Sequence, residues 1–163
     1  MMKIFRNVDS FNKIYDIQMD YLKNNGIQAV IADADNTMLP WKGDEFCKKT
    51  LEWLALLKDN NIDFCLLSNG KRPRISLLAD KINARFIAGG LKPLPFGYIK
   101  ACRLLEKNRE HCLFVGDQIF TDILGARLAG IKAAIVEPIS KHEYFWTKFM
   151  RNIEKMAGRK FKW

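Results

Sequence analysis

Two carboxylates stand two residues apart in Asp33-Ala34-Asp35-Asn36-Thr37, directly after the apolar run Ile27-Gln28-Ala29-Val30-Ile31-Ala32. A buried strand that ends in paired acids presents one carboxylate able to attack phosphorus and another able to move a proton. A second acidic segment of the same build, Gly116-Asp117-Gln118-Ile119-Phe120-Thr121-Asp122, follows Cys112-Leu113-Phe114-Val115. If the two strands are neighbours, their acids supply the oxygen ligands that a hard cation such as Mg²⁺ prefers. The chain's two histidines, His111 and His142, are not needed for such a site.

A phosphoryl group under attack spreads negative charge over its oxygens, so hydrogen-bond donors and a cation must surround it. Ser68 and Asn69 in Ser68-Asn69-Gly70, and Lys92 in Lys92-Pro93, are the candidates. Each has a plainer reading when taken alone. Asp-x-Asp pairs are common in turns, Ser-Asn-Gly is itself a turn sequence, and a solitary lysine is usually solvated. Thr37 is as well suited to bonding its own loop as to touching substrate, and Asp122 to capping a helix or standing behind a metal ligand. Their joint weight comes from position, because each cluster falls at the carboxyl end of an expected strand, where open α/β sheets bind ligands.

The elements that must carry these residues follow from apolar spacing. Ser10 is placed as the N-cap of a helix to about Lys23, followed by a strand over Ile27 to Ala32. A helix capped by Asp44 runs to about Asp59, where the apolar positions Cys47, Leu51, Leu54 and Leu57 or Lys58 follow the helical period, and Phe64 to Leu67 forms the next strand. Further helices are expected from Pro73 to Asn83, after Pro95, and over Ile123 to Ala129. Strands are expected at Arg85–Ala88, Cys112–Val115 and Ala133–Val136. Five buried strands separated by helices predict βαβ crossovers, hence a Rossmann-like three-layer sandwich around a parallel sheet of about five strands.

At 163 residues the chain fits one domain, 1–163. Cys47, Cys65, Cys102 and Cys112 stand singly in apolar segments, which favours reduced core thiols in a cytoplasmic protein over a zinc site or disulfides. No apolar stretch approaches the ~20 residues that span a bilayer, and the N-terminus lacks a secretory core. The expected protein is soluble or surface-bound, and its sequence fixes no oligomeric state.

The motifs resemble those of the haloacid dehalogenase-type phosphatases: Asp33-x-Asp35-x-Thr37 the first, Ser68 the second, Lys92 the third, and Gly116-Asp117 with Asp122 the fourth. The resemblance spans nearly the whole chain in the right order. It implies Asp33 as nucleophile, Asp35 as acid/base, and Lys92 as stabiliser of the phosphoryl group and nucleophile. It also implies a Mg²⁺ shell of Asp33, the Asp35 carbonyl and Asp117, with Asp122 behind it. Thr37, Ser68, Asn69 and Lys92 are expected to contact substrate. More narrowly, Asp35-Asn36-Thr37, Ser68-Asn69-Gly70, Lys92-Pro93 and Gly116-Asp117-Gln118-x-x-Thr121-Asp122-x-x-Gly125-Ala126 are similar to the YqeG-type branch. That branch belongs to subfamily IIIA and is akin to phosphatidylglycerophosphate phosphatases.

Only 34 residues separate Asp33 from Ser68 and 23 separate Ser68 from Lys92, too few for a cap domain. An uncapped site suits a large substrate, and the loop around Trp41 is the remaining candidate lid. The net charge is +9, of which +5 comes from residues 141–163, with seven Lys or Arg against Glu143 and Glu154. Phe145, Phe149, Ile153 and Met156 recur there at helical spacing, as in a helix lying on an anionic membrane or packed on its own domain. The expected partner is a phosphorylated substrate, with phosphatidylglycerophosphate at the inner membrane face the first choice and no nucleic acid. The alternatives are a phosphatase of soluble nucleotides, sugar phosphates or phosphoproteins, and a phosphate- or metal-binding module without turnover.

Overall fold

The structure is a computed structural model that describes residues 8–140. Six strands form one sheet: β1 (Asp9–Phe11), β2 (Ala29–Ala32), β3 (Asp63–Leu67), β4 (Arg85–Ile87), β5 (Cys112–Gly116) and β6 (Lys132–Val136). Their spatial order is β1-β6-β5-β2-β3-β4, and every neighbouring pair is parallel. Five helices connect them: α1 (Met19–Asn24), α2 (Lys48–Asp59), α3 (Arg72–Lys81), α4 (Phe96–Leu104) and α5 (Leu124–Leu128). The expected Rossmann-like sandwich is therefore found, with one strand more than the pattern suggested. Among the described residues, only a loop, α2 and β3 lie between Asp33 and Ser68, so no cap interrupts the domain.

Alternation along the strands builds two cores. Val30, Ala32, Leu66, Leu113 and Val115 face a layer containing Trp53, Leu57, Ile75 and Leu78 of α2 and α3. Ala29, Ile31, Cys65, Leu67 and Phe114 face Tyr98, Ala101 and Cys102 of α4 and Ala126 beside them. Because both faces of β2 are covered, its four residues are all buried, which is why it reads as an unbroken apolar run. β2 also lies where the chain order reverses, with β3 on one side and β5 on the other. That reversal opens a crevice at the carboxyl ends of β2 and β5, and Asp33 and Asp117 emerge there.

Two expectations need correction. The helix expected from Ser10 is a strand, then a 3₁₀ turn at Ile14–Asp16, with helix only at Met19–Asn24. The backbone of Asp9–Phe11 fills the open edge of β6, and the Asp16 carboxylate accepts a 2.9 Å bond from the Lys13 amide that closes the turn. Ile14, Ile17 and Leu22 are buried all the same, so their spacing fitted either path. In α2 the buried stripe is Thr50, Trp53 and Leu57, while Leu51 is 44% exposed and Cys47 only precedes the helix. Trp53 sets that rotation, since its indole N–H donates to the Ile17 carbonyl at 2.9 Å while its rings fill the core.

Tyr98 ties one helical layer to the crevice. Its ring packs edge-on against Phe114, with centroids 4.9 Å apart, and its hydroxyl donates to the Thr121 carbonyl at 2.5 Å. Tyr98→Phe keeps the ring and orphans that carbonyl, so urea unfolding is expected to show a loss of about 1–3 kcal/mol. A loss near zero would mean that the hydroxyl does not pin the turn carrying Asp122.

Candidate active site

The site grows from Lys92, whose ammonium is buried between two carboxylates. Its Nζ lies 2.5 Å from Asp33 Oδ1 and 2.6 Å from Asp122 Oδ1, and 5.6 Å from the centre of the Phe114 ring. Asn69 sets the lysine backbone: its Oδ1 accepts from the Lys92 amide at 2.7 Å and its Nδ2 donates to the Lys92 carbonyl at 3.1 Å. Asn69, expected to touch substrate, is thus shown holding the loop that supplies the cation. Ser68 is buried beside it, with its hydroxyl accepting from the Gly70 amide.

Asp122 reaches Lys92 because Gly116 leaves room, since a Cβ at that position would fall on the Asp122 carboxylate. Its second oxygen accepts from the Gln118 amide at 3.0 Å. The turn Ile119–Ile123 that carries it is a wide π turn, and its opening lets the acid point back under the strand end. Thr37, also buried, donates to Asp117 Oδ1 at 3.3 Å and so links the two acidic segments.

Asp33, Asp117 and Asp122 each offer an oxygen within 4.8 Å of the others. Lys92 pairs with two of these three acids, and burial together with the neighbouring carboxylates disfavours charge on Asp33 and Asp117. Burial pushes Asp33 up to about 7, with Lys92 opposing and Asp122 adding to the rise. Burial likewise pushes Asp117 up to about 8, reinforced by Asp122 and Asp33. Burial alone would lower Lys92, but Asp122 and Asp33 hold it well above the usual range and keep it charged. A divalent cation would offset the remaining excess, and an all-oxygen donor set fits a hard ion such as Mg²⁺. Asp33 and Asp117 are the side chains best placed to hold it, since both Asp122 oxygens are engaged already.

Asp35 turns the other way. Arg74 grips it with two bonds, 2.8 Å to Oδ2 and 2.7 Å to Oδ1, and the Lys42 amide adds a third at 2.8 Å. The two acids of the first motif therefore sit in separate environments, one facing the buried lysine and the other a half-exposed guanidinium. Arg74 was not among the residues singled out in the sequence. A signal for it exists in Lys71-Arg72-Pro73-Arg74, where three cations crowd the first turn of α3, the end of a helix that normally repels them.

Asp33, Asp35, Trp41, Ser68, Arg74 and Lys92 line a cavity of about 520 Å³ that opens to solvent. The Trp41 loop, the expected lid, forms part of its wall, with the Trp41 amide bonded to the Ser140 hydroxyl. A larger hollow of about 660 Å³ lies among Leu51, Leu54, Phe64 and Ile82 and contains none of these groups.

A parallel α/β sheet with carboxylates and a buried lysine at its switch point defines a class of hydrolase. The sequence model of the haloacid dehalogenase-like hydrolases matches residues 8–130, and the chain belongs to that family. It is 31% identical over 156 residues to the probable phosphatase YqeG of Bacillus subtilis, covering 95% of this chain and 91% of that protein. Its fold is shared with a HAD-superfamily hydrolase from Ehrlichia chaffeensis (TM-score 0.58, 19% identity, 78% of this chain and 97% of that one). It is shared also with the cobalt-bound deoxy-D-mannose-octulosonate 8-phosphate phosphatase of Haemophilus influenzae (TM-score 0.57, 17% identity, 83% and 92%). The family expected from the motifs is thereby established.

Two outcomes follow from the buried charges. Lys92→Met leaves two buried carboxylates unpaired and is expected to cost about 3–5 kcal/mol in chemical denaturation, part of which Lys92→Met/Asp122→Asn recovers. Because Asp117 is raised from 3.8 to about 8, the folded metal-free protein binds that proton more tightly than the unfolded chain. Its stability should therefore fall as pH rises through that window. At neutral pH, Asp117→Asn should raise the melting temperature of the metal-free protein by about 2–4 °C, the shift that about 1 kcal/mol produces in a domain of this size, while removing stabilisation by added Mg²⁺.

Proposed function

We propose that this chain is a Mg²⁺-dependent phosphomonoester hydrolase working through an aspartyl-phosphate. The single observation that carries the reading is the buried Asp33–Lys92–Asp122 pairing beside Asp117, with Asp35 held apart by Arg74. Lys92 occupies Asp33 Oδ1, so attack on phosphorus falls to Oδ2. Asp35 enters this step protonated: as the Asp33–phosphorus bond forms, the bond to the leaving oxygen breaks, the leaving oxygen takes that proton, and Asp35 is left as the carboxylate that Arg74 grips. Asp35 then takes a proton from water, whose oxygen attacks phosphorus, releases inorganic phosphate and frees Asp33. Arg74 keeps the Asp35 carboxylate oriented through both steps, and Lys92 balances charge on the nucleophile and the phosphoryl oxygens. A cation bound by Asp33, Asp117 and the Asp35 carbonyl would stabilise negative charge on the transferring group. Similarity to a probable phosphatase over nearly the whole chain supports this reading.

For the substrate we infer phosphatidylglycerophosphate at a membrane surface. An uncapped, open cavity and the basic composition of residues 141–163, which lie outside the described residues, support a large anionic ester. No helix among the described residues is long and apolar enough to cross a membrane, so such a lipid would be reached from the surface.

Phosphate release from phosphatidylglycerophosphate and from soluble esters, each with and without Mg²⁺, tests both levels. Turnover is expected only with metal, with Asp33→Asn reducing it by at least about 10³-fold and Asp35→Asn by about 10²–10⁴-fold, the range of general acid–base catalysis. A folded, metal-loaded protein that turns over no ester would leave a binding module. Faster turnover of a nucleotide or sugar phosphate than of the lipid would replace the substrate.

A further inference from the structure

Four large apolar side chains stand exposed on the segments that supply Lys92 and Asp117. Leu91, Leu94 and Phe96 are 65%, 49% and 69% exposed, and Ile119 is 37% exposed. Single exposed leucines are ordinary on a soluble protein. Here three fall within six residues of one loop, and that loop has buried its only charged residue, Lys92, in the site. The Leu94 amide donates to the Leu91 carbonyl at 2.8 Å, which closes the loop into a turn, and Phe96 opens α4. The bond from Tyr98 to Thr121 holds that end of α4 against the turn that Ile119 begins. The four side chains therefore stand on segments that meet at the Tyr98–Thr121 bond and border the cavity through Lys92, Gln118 and Thr121, which marks one rim of the crevice.

Cations supply the other rim. Lys42 and Lys71 are exposed on the loops after β2 and β3 and border the same cavity, and Arg72, exposed at the start of α3, lies with its guanidinium 5.3 Å from the centre of the Phe86 ring. The nearest acids in sequence, Asp44 and Glu45, follow a chain that has already turned away, because the Asp44 carbonyl accepts from Lys81 in the last turn of α3. Ser140, the last described residue, is fixed to Asn36 and to the Trp41 amide, and the sequence after it carries seven more cations.

We propose that this rim is a docking surface for an anionic lipid bilayer, with Leu91, Leu94, Phe96 and Ile119 entering the headgroup boundary while Lys42, Lys71 and Arg72 meet the headgroups. Apolar tips beside exposed cations match such a surface in both respects, since burial of the tips adds to about 1 kcal/mol per nearby cation. Docking by this face turns the mouth holding Asp33 toward the lipid. The inference deepens the lipid reading above, on which it rests, and names the surface that meets the membrane.

Leu94→Ser/Phe96→Ser tests it, because neither side chain belongs to the catalytic set. Full-length protein is sedimented with phosphatidylglycerol vesicles and with phosphatidylcholine vesicles, and hydrolysis of a soluble aryl phosphate is followed in parallel. Native protein should bind the anionic vesicles selectively. The double variant should bind them about tenfold more weakly or worse, the loss expected for two half-buried apolar side chains, with aryl phosphate turnover and circular dichroism unchanged. Binding by the variant equal to the native protein's would overturn the proposal, as would native protein that ignores both vesicles or binds a protein partner through this rim. If native protein hydrolyses no ester yet loses vesicle binding with the double substitution, the docking surface stands and the phosphatase reading fails.

Discussion

An ammonium removed from water between two carboxylates is the constraint on which the rest of this molecule depends. Desolvating Lys92 costs several kcal/mol, and only close, well-aimed counter-charges offset it. Asp33 and Asp122 do so from two different strand ends, at 2.5 and 2.6 Å. Their positions are fixed in turn by features with no other evident purpose: a glycine at 116, a wide turn at Ile119–Ile123, a tyrosine hydroxyl beneath that turn, and an asparagine bracketing the lysine backbone. A sheet with β2 between β3 and β5 is what brings these segments to one place.

The same arrangement leaves the site short of positive charge. Lys92 can neutralise one of three clustered acids, and Asp122 adds to the rise that burial imposes on Asp33 and Asp117. A purely structural cluster would be expected to relieve that repulsion with another basic residue. Arg74 lines the same cavity yet is spent on Asp35, outside the cluster. The uncompensated acids are the ones whose oxygens converge, which suits a group that a bound cation would complete.

Much of this was legible in the chain. The positions of five strands, their parallel arrangement, and the placing of Asp33, Ser68, Asp117 and Asp122 at strand ends follow from apolar runs that end in polar residues, and Lys92 from Lys92-Pro93 and the motif resemblance. What escaped depended on contacts between distant segments. The strand at Asp9–Phe11 forms because β6 offers an open edge, and nothing in the local pattern of Phe11, Ile14 and Ile17 announces it. The inward face of α2 was misjudged by part of a turn because leucines were weighted above Trp53, whose indole finds a carbonyl 36 residues away. The bracket that Asn69 places on the Lys92 backbone carries no trace in sequence, while its place in the cavity wall does. Arg74 left a trace, an unfavourable charge at a helix start, that gains meaning only once Asp35 is seen to answer it.

That answer couples Asp35 to the loop at the cavity wall. The loop from Pro40 to Gly43 is held by the Lys42 amide on Asp35, by Arg74 on the Gly43 carbonyl at 2.9 Å, and by Ser140 on the Trp41 amide. Two of those three contacts converge on the Asp35–Arg74 pair. Lifting Lys42 would strip its amide from the Asp35 carboxylate and lifting Gly43 would strip its carbonyl from Arg74, so the position of this loop and the hydrogen bonding of Asp35 are tied together.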